Sequence, residues 1–330
     1  MNEKVKSFLF DFGVSGSAAV VSKTLIAPVE RAKFIIQNQD YALDVMTGKQ
    51  KPYSGLIDLF TRIPKEQGIL SLWRGNGTNI ARYFPSQALN FSLYNTYKNF
   101  FTSCVSGDHY MNLLMCKLFA GGLAGACSAA LVFPLDFCQT RLALDMGHGK
   151  HKAGSTPTAN QKTKPREFNG MFSCFYKISQ KDGVLGLYRG VHLSVIGFGI
   201  YRAFYFALYE MSKLLYHDKH YKTNSNDKSE KMPLLLSLLS AQICTIAAGM
   251  ASYPLDTMAR HMMLDAGRPM NLRKNKTMVI TAQRIWKKYG IYGFFRGAFV
   301  NAMRCTAGAL VLVMYDEFVY YTYKWKMIKK

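Results

Sequence analysis

The chain has 330 residues and a formal net charge of +22, from 42 basic and 20 acidic residues. Such an excess of positive charge is common in nucleic-acid-binding proteins. However, 49 % of the residues are hydrophobic, and the sequence contains no zinc-ligand spacing, RNA-binding aromatic motif or basic helix. We therefore expect no nucleic-acid partner. The 7 cysteines include no Cys-x-x-Cys pair, which indicates neither a disulfide framework nor a metal site.

Long apolar helices are the main elements predicted along the chain. In chain order they are expected at about 8–38, 77–101, 113–145, 192–216, 233–265 and 298–322. Three shorter amphipathic helices are predicted near 56–66, 170–181 and 278–289. The long helices have the length needed for a tilted crossing of a hydrocarbon core of roughly 30 Å. Polar loops are expected at 147–166 and 217–232.

Ionisable residues interrupt every one of the long predicted helices. They are Lys23 and Glu30 in the first helix, followed in chain order by Arg82, Asp136, Arg202, Asp256 and Arg304. Charges within a membrane span are costly and normally face the interior of a helix bundle or a water-filled cavity. The sequence therefore predicts a membrane bundle with a charged interior. A soluble helical protein is the alternative.

Two short motifs occur three times each. Pro-x-acidic tripeptides begin at Pro28, Pro134 and Pro254, and aromatic-Arg-Gly tripeptides begin at Trp73, Tyr188 and Phe295. Repetition at a period of roughly 100 residues indicates repeated structural units that stack on one another. We place these units at 1–105, 106–222 and 223–330, within one transmembrane domain.

Together, these features resemble the mitochondrial carrier family over essentially the whole chain. The segments 79–91 and 201–206 are similar to the ADP/ATP carriers of that family, whereas Ala259-Arg260-His261 stands where those carriers have three arginines. The resemblance implies an all-α membrane protein with six tilted transmembrane helices in three pseudosymmetric repeats and with short amphipathic helices on the matrix side. It also implies a location in the mitochondrial inner membrane, with both termini toward the intermembrane space.

The resemblance further implies a solute carrier, not an enzyme, that exchanges ADP for ATP through a central site open alternately to either side. Basic residues halfway along the bundle attract polyanions, and arginine forks suit phosphate oxygens. The residues expected to bind the nucleotide are Lys23, Arg82, Asn90, Gly197, Phe198, Tyr201, Ser252, Arg260 and Arg304. The alternatives are a carrier of another nucleotide or phosphorylated anion, and a proton-leak carrier.

By the same resemblance, a gate closes the matrix side of the bundle. Its expected members are Glu30, Lys33, Gln37, Asp136, Gln139 and Asp256. The expected partners are Glu30 with Gln139, Asp136 with Ala259, and Asp256 with Lys33. Only the last of these is an ion pair, which Gln37 is expected to brace. Gln139 can donate a hydrogen bond to Glu30, whereas Asp136 lacks its usual partner, so we predict a weakened matrix gate.

A second gate is implied on the cytosolic side. Its expected members are Tyr94, Lys98, Tyr209, Glu210, Lys213, Tyr315 and Asp316. The two predicted ion pairs are Lys98 with Glu210 and Lys213 with Asp316, and the three tyrosines are expected to brace them. The alternative is that these residues form ordinary pairs on the surface of one helix, each contributing a few tenths of a kcal/mol.

Glycines that precede helices provide the last group of predicted sites. They are Gly55, Gly75, Gly170, Gly190 and Gly297. Backbone N–H groups at a helix amino terminus can hold phosphate, and the resemblance implies cardiolipin as the ligand; simple helix capping is the alternative. We expect no other cofactor, no catalytic or metal-binding residue, and a monomer.

Overall fold

The computed structural model describes residues 3–39, 51–104, 110–145, 166–223, 233–268, 273, 275 and 277–307, and the regular structure of these residues is entirely helical. The helices are α1 (Glu3–Asn38), α2 (Leu56–Gln67), α3 (Asn76–Cys104), α4 (Tyr110–Leu144), α5 (Met171–Asp182), α6 (Val191–Thr223), α7 (Leu234–Leu264), α8 (Met278–Tyr289) and α9, described over 298–307. Each predicted helix is therefore present, although α9 beyond residue 307 lies outside the described part.

The helix α6 is longer than predicted, because it continues past residue 216 to Thr223. The segment that follows Tyr216 contains neither glycine nor proline, so nothing in the sequence ends the helix there. The short helices, by contrast, end at glycines. Gly68, Gly183 and Gly290 follow α2, α5 and α8, and all three have positive φ angles.

The helices α1, α4 and α7 each contain one proline in their interior, at Pro28, Pro134 and Pro254. A proline removes one hydrogen bond of the helix and bends it. All three helices contact one another, and their hydrogen bonds to each other involve residues that follow the prolines. The carboxyl-terminal halves of these helices therefore converge at one end of the bundle.

The short helices cover that same end, which we call the short-helix end. Each of them buries two residues spaced four apart: Leu59 and Ile63 in α2, Cys174 and Ile178 in α5, and Thr281 and Ile285 in α8. Leu59 and Ile63 pack with Ala32 and Ile35 of α1, and the other two short helices pack in the same way on α4 and α7. This spacing confirms the amphipathic pattern read from the sequence.

Two arginines of the aromatic-Arg-Gly elements, Arg74 and Arg189, form contacts between one repeat and the next. The Arg74 guanidinium donates to the Phe168 carbonyl at 2.6 Å and pairs with Asp145 at 2.5 Å, and Arg189 donates to the Asn275 carbonyl at 3.2 Å. Burial lowers the pKa of Arg74, while the Asp145 carboxylate opposes that shift. The glycine after each arginine has a φ between +81° and +91°, which side-chain-bearing residues rarely adopt.

Three segments of the described residues are long and apolar enough to cross a membrane: Phe119–Leu144, Val184–Tyr216 and Leu236–Leu264. They lie in α4, α6 and α7. The helices α1 and α3 are just as long, but their charged, amide and hydroxyl side chains lower the mean hydropathy. Such side chains are tolerated where they face the interior of a bundle.

Candidate substrate cavity and gates

A cavity of about 350 Å³ lies inside the bundle, and all six long helices contribute to its lining. Eight of the nine predicted nucleotide-binding residues border it: Arg82, Asn90, Gly197, Phe198, Tyr201, Ser252, Arg260 and Arg304. Lys23 is not in the lining, and its ammonium lies 5.8 Å from the centre of the Tyr83 ring. Four cations but only two carboxylates, Asp136 and Asp256, border the cavity, so it has a surplus of positive charge.

Aromatic rings form the wall of the cavity along α6. The Phe198 ring packs directly against Gly125 of α4, where a Cβ atom would overlap it, and the Arg202 guanidinium lies 5.1 Å from the centre of that ring. Tyr201 stacks on Tyr205 with 6.2 Å between ring centres. The cavity therefore combines cations with flat apolar surfaces.

Asp256 is the centre of the contacts at the floor of the cavity. It pairs with Lys33 at 3.1 Å, and Gln37 donates to it at 3.3 Å. Gln37 also donates to the Thr257 hydroxyl at 2.9 Å. The predicted ion pair and its glutamine brace are therefore both present, while their role as a gate stays a prediction.

Arg260 belongs to this cluster as well as to the cavity. Its guanidinium pairs with Asp256 of its own helix at 2.9 Å and donates to the Thr140 hydroxyl of α4 at 3.0 Å. Arg260 directly follows Ala259, the residue at the gate position that was expected to face Asp136 and that has no charge. Arg260 was predicted only as a nucleotide ligand, and in the structure it also neutralises Asp256.

The predicted partner of Glu30 is wrong in this structure. Gln139 donates no hydrogen bond to Glu30, although both residues are buried and border the same small void. Instead, Asn79 donates to Glu30 at 2.6 Å and the Arg304 guanidinium lies 3.6 Å from its carboxylate. The side chain of Arg304 is long enough to reach Glu30 from α9. Its charged guanidinium attracts the carboxylate more strongly than the neutral amide of Gln139 does.

Asp136 lacks its usual partner, as expected, since Ala259 stands at that position, but it has another cation. Arg82 of α3 lies 3.4 Å from its carboxylate. Arg82 and Arg304 are each bonded to an asparagine three residues earlier, Asn79 at 3.4 Å and Asn301 at 3.3 Å. Sequence reasoning missed these two asparagines, although the spacing Asn-x-x-Arg occurs in both helices.

Two buried arginines, Arg31 and Arg141, do not appear among the predicted site residues. Arg31 is fully buried and donates to the carbonyls of Ala143 and Ser71 and, at 3.0 Å, to the Gln67 amide oxygen. In α4, Arg141 donates to the Leu264 carbonyl at 2.8 Å. Each arginine thus satisfies free carbonyls near the end of the next proline-containing helix. They are anchors between repeats.

The end of the bundle opposite the short helices contains a second, wider cavity. This cavity of about 1540 Å³ lies between α3, α4 and α6 and extends along α3 from Gln87 to Phe101, with Tyr94 and Glu210 in its lining. Glu210 pairs at 3.2 Å with Lys213 of its own helix. The predicted pair of Lys98 with Glu210 is therefore not formed in this structure, because Glu210 holds a nearer cation.

The other members of this predicted gate have mixed outcomes. Tyr209 exchanges a hydrogen bond with Ser237 at 3.1 Å, and the Lys213 ammonium lies 4.5 Å from the centre of the Tyr209 ring. Tyr315 and Asp316 lie outside the described residues. The roles of these residues in closing this end stay predictions.

The five glycines of the predicted lipid sites stand at helix amino termini. Gly55 and Gly170 immediately precede α2 and α5, and Gly75, Gly190 and Gly297 immediately precede α3, α6 and α9. Whether a lipid phosphate binds there stays a prediction.

Comparison with known proteins gives consistent results along the whole chain. The family model for the mitochondrial carrier protein matches residues 4–104, 112–220 and 230–325. ADP/ATP translocase 3 of Bos taurus is 42% identical over 318 residues, covering 96% of this chain and 98% of that protein. ADP/ATP translocase 2 of Rattus norvegicus is 41% identical over 327 residues, covering 98% and 100%, and ADP/ATP translocase 4 of Mus musculus is 41% identical over 312 residues, covering 94% and 89%.

Proposed function

Because the chain belongs to the mitochondrial carrier family, we propose that it exchanges ADP for ATP across the mitochondrial inner membrane. The observation that carries this proposal is the cavity shared by all six long helices, which is bordered both by cations and by the aromatic side chains of α6. A solute with several negative charges and one flat ring has matching chemistry. Relatives named ADP/ATP translocases support the same choice.

In this proposal the phosphates bind to the arginines and the base binds to α6. Arg82 and Arg304 present planar forks that take two phosphate oxygens each, and Lys23 adds a point charge at the rim. Gly197 leaves room for the adenine ring beside the backbone, with Phe198 and Tyr201 as stacking surfaces. Asn90 and Ser252 supply further hydrogen bonds to the ribose or base.

Exchange requires that the two ends of the bundle close in turn. The cluster around Asp256 closes the short-helix end, and the wide cavity near Glu210 leaves the other end open. We assign the short-helix end to the matrix side and the open end, with both chain termini, to the intermembrane space. When that end closes, Glu210 exchanges Lys213 for Lys98, and Lys213 pairs with Asp316.

Lipid and oligomeric state complete the proposal. Cardiolipin phosphates bind at the amino termini of α2, α3, α5, α6 and α9, where backbone N–H groups of the first helical turn can donate to phosphate oxygens. The chain works as a monomer, since the cavity is built from the six long helices of one chain. No other cofactor takes part.

Counter-exchange in liposomes tests this function. The purified chain is reconstituted with cardiolipin into vesicles preloaded with ATP, and uptake of labelled ADP is compared with uptake of GTP, AMP and phosphate. We expect rapid ADP uptake that depends on internal ATP or ADP. Faster exchange of GTP, AMP or phosphate would indicate a carrier of another anion. Proton conductance without nucleotide, in the absence of exchange, would indicate a proton-leak carrier.

A further inference from the structure

The three carboxylates of the Pro-x-acidic motifs occupy equivalent positions but have different partners. Glu30 lies 3.6 Å from Arg304, and Asp136 lies 3.4 Å from Arg82. Asp256 has no such neighbour among the described residues of α6, and it pairs with Lys33 and Arg260 instead. Glu30 and Asp136 are thus bound to cavity arginines of another helix, whereas Arg260, the cavity arginine bound to Asp256, lies on the same helix as its partner.

The difference follows a rule that can be read from the repeats. In α6, the long helix equivalent to α3 and α9, the position of Arg82 and Arg304 is held by Gly197, three residues after Ser194. Asp256, the acid of the long helix that follows α6, pairs with the gate cation Lys33 instead. The acids that face arginines have Gln139 and Ala259 at the corresponding gate positions. A cavity arginine is therefore present wherever the gate cation is missing.

We propose that Arg82 and Arg304 have two functions in this chain, and the proposal rests on the proposed nucleotide exchange. In the empty carrier they neutralise Asp136 and Glu30 and so supply the missing gate cations. When a nucleotide enters, its phosphates compete with these two carboxylates for the same guanidinium groups. Substrate binding then removes the arginines from Glu30 and Asp136. Of the three gate positions, only the Lys33–Asp256 ion pair then remains.

The geometry of the two pairs suits displacement. Charge-assisted hydrogen bonds between nitrogen and oxygen are usually about 2.7–2.9 Å long, so contacts of 3.4 and 3.6 Å are loose. About one third of each arginine side chain is exposed, at 33% for Arg82 and 32% for Arg304. A phosphate can therefore reach both guanidinium groups without first unfolding any part of the bundle.

Asn79 connects the two pairs. It donates to Glu30 at 2.6 Å and accepts from Arg82 at 3.4 Å. The contacts consequently run without a break from Arg304 through Glu30, Asn79 and Arg82 to Asp136. Because this network crosses α9, α1, α3 and α4, a phosphate bound at either arginine changes the contacts of the other.

The test compares three variants that remove one negative charge at the same level of the bundle. ATP affinity is measured by titration calorimetry on the purified chain and on E30Q, D136N and D256N. If phosphates compete with the first two acids, E30Q and D136N lower the Kd for ATP about threefold to tenfold. D256N changes the Kd by less than about twofold, because its arginine partner Arg260 is only 10% exposed and also donates to the Thr140 hydroxyl.

Two further variants separate competition from a general effect of charge. E30D keeps the negative charge but withdraws the carboxylate from Arg304, so we expect a gain in ATP affinity similar to that of E30Q. In the R304Q background, E30Q is expected to give no gain, because the competing guanidinium is absent. Thermal unfolding of each variant confirms that it is folded before the affinities are compared.

The outcomes distinguish this proposal from the proposed function. Equal gains in E30Q, D136N and D256N, or no gain in the first two while ATP still binds, would overturn the competition and leave nucleotide exchange intact. Binding of tripolyphosphate without binding of ATP would overturn nucleotide exchange, and the same variants would then be judged with tripolyphosphate. A chain that binds neither ligand overturns both.

Discussion

The short-helix end and the opposite end of the bundle are held together by different kinds of contact. At the short-helix end, the guanidinium of Arg31 is buried and bonded to carbonyls of other segments, and Arg74 joins the first repeat to the second. At the opposite end, Glu210 and Lys213 pair within one helix, and both side chains are 43% exposed. The contacts of Arg31 and Arg74 thus join separate segments and are largely buried, whereas the Glu210–Lys213 ion pair lies within one helix and is partly exposed to solvent.

This difference separates structural anchors from groups that change partners. Removing one partner from a buried polar network is costly, so Arg31 and Arg141 cannot release their carbonyls during transport. Loose or exposed pairs such as Arg82 with Asp136 cost little to exchange. The comparison therefore predicts that substitutions at the anchors alter stability, while substitutions at the loose pairs alter binding and exchange.

The largest expected effect is that of R31L. It leaves the carbonyls of Ala143 and Ser71 without their buried donor, so we expect the free energy of unfolding to fall by about 3 kcal/mol. The matched control is R62L, since the ion pairs of Arg62 are with partly exposed acids of its own helix, α2. We expect R62L to lower the free energy of unfolding by less than about 1 kcal/mol. Thermal unfolding of the purified variants measures both, and equal losses would contradict the comparison.

A substitution between the two ends should act on the cavity. G125A places a methyl group where the Phe198 ring lies, so the ring must turn into the space proposed for the adenine base. We expect a cost of about 2 kcal/mol, seen as weaker ATP binding. Adding F198V should restore affinity because valine leaves room for the new methyl group. If G125A binds ATP normally, or if F198V brings no recovery, the base does not lie against Phe198.

Strengthening the gate at the short-helix end should have a smaller effect. Q139R supplies a full cation for Glu30, which stabilises the closed state of this end by about 1 kcal/mol. We expect a higher unfolding temperature and stronger inhibition by a ligand that traps the carrier open to the cytosolic side. The gain should vanish when E30Q is added, and A259R should act in the same way through Asp136. Unchanged trapping in both arginine variants would refute the gate interpretation.

The smallest effect on stability is expected at the opposite end. K213Q removes an exposed pair within one helix, which contributes less than about 0.5 kcal/mol. The exchange rate should nevertheless fall, because Lys213 is proposed to pair with Asp316 when this end closes. Unfolding and ADP uptake are measured on the same preparation. A large loss of stability, or an unchanged exchange rate, would contradict the assignment of Lys213 to a gate.

Much of the fold follows from local patterns in the sequence. The i,i+4 burial of Leu59 and Ile63 and the recurrence of Pro28, Pro134 and Pro254 were sufficient to place the helices. The Lys33–Asp256 pair could be predicted from the resemblance to the mitochondrial carrier family, because both residues stand where the family pattern implies a gate pair.

The partners of Glu30 and Asp136 could not be predicted in the same way. Their cations come from α9 and α3, helices outside the Pro-x-acidic motif, and the contact depends on how far a guanidinium reaches across the bundle. Arg31 was missed because a single arginine in an amphipathic pattern looks like a surface residue. It is buried by the packing of both α4 and the segment from Gln67 to Ser71 against α1. The spacing Asn-x-x-Arg was visible in the sequence, but its meaning depends on the carboxylates that the two arginines contact, and these are apparent only in the structure.

The central claim is that Arg82 and Arg304 bind the phosphates of the exchanged nucleotide. It is tested most directly by ADP uptake into ATP-loaded liposomes, with the unaltered chain compared with the R82Q/R304Q double variant at equal protein content. We predict saturable uptake by the unaltered chain and a loss of about 100-fold or more in the variant, since two bidentate charge-assisted contacts are removed. Uptake at the same rate by both proteins would contradict the account.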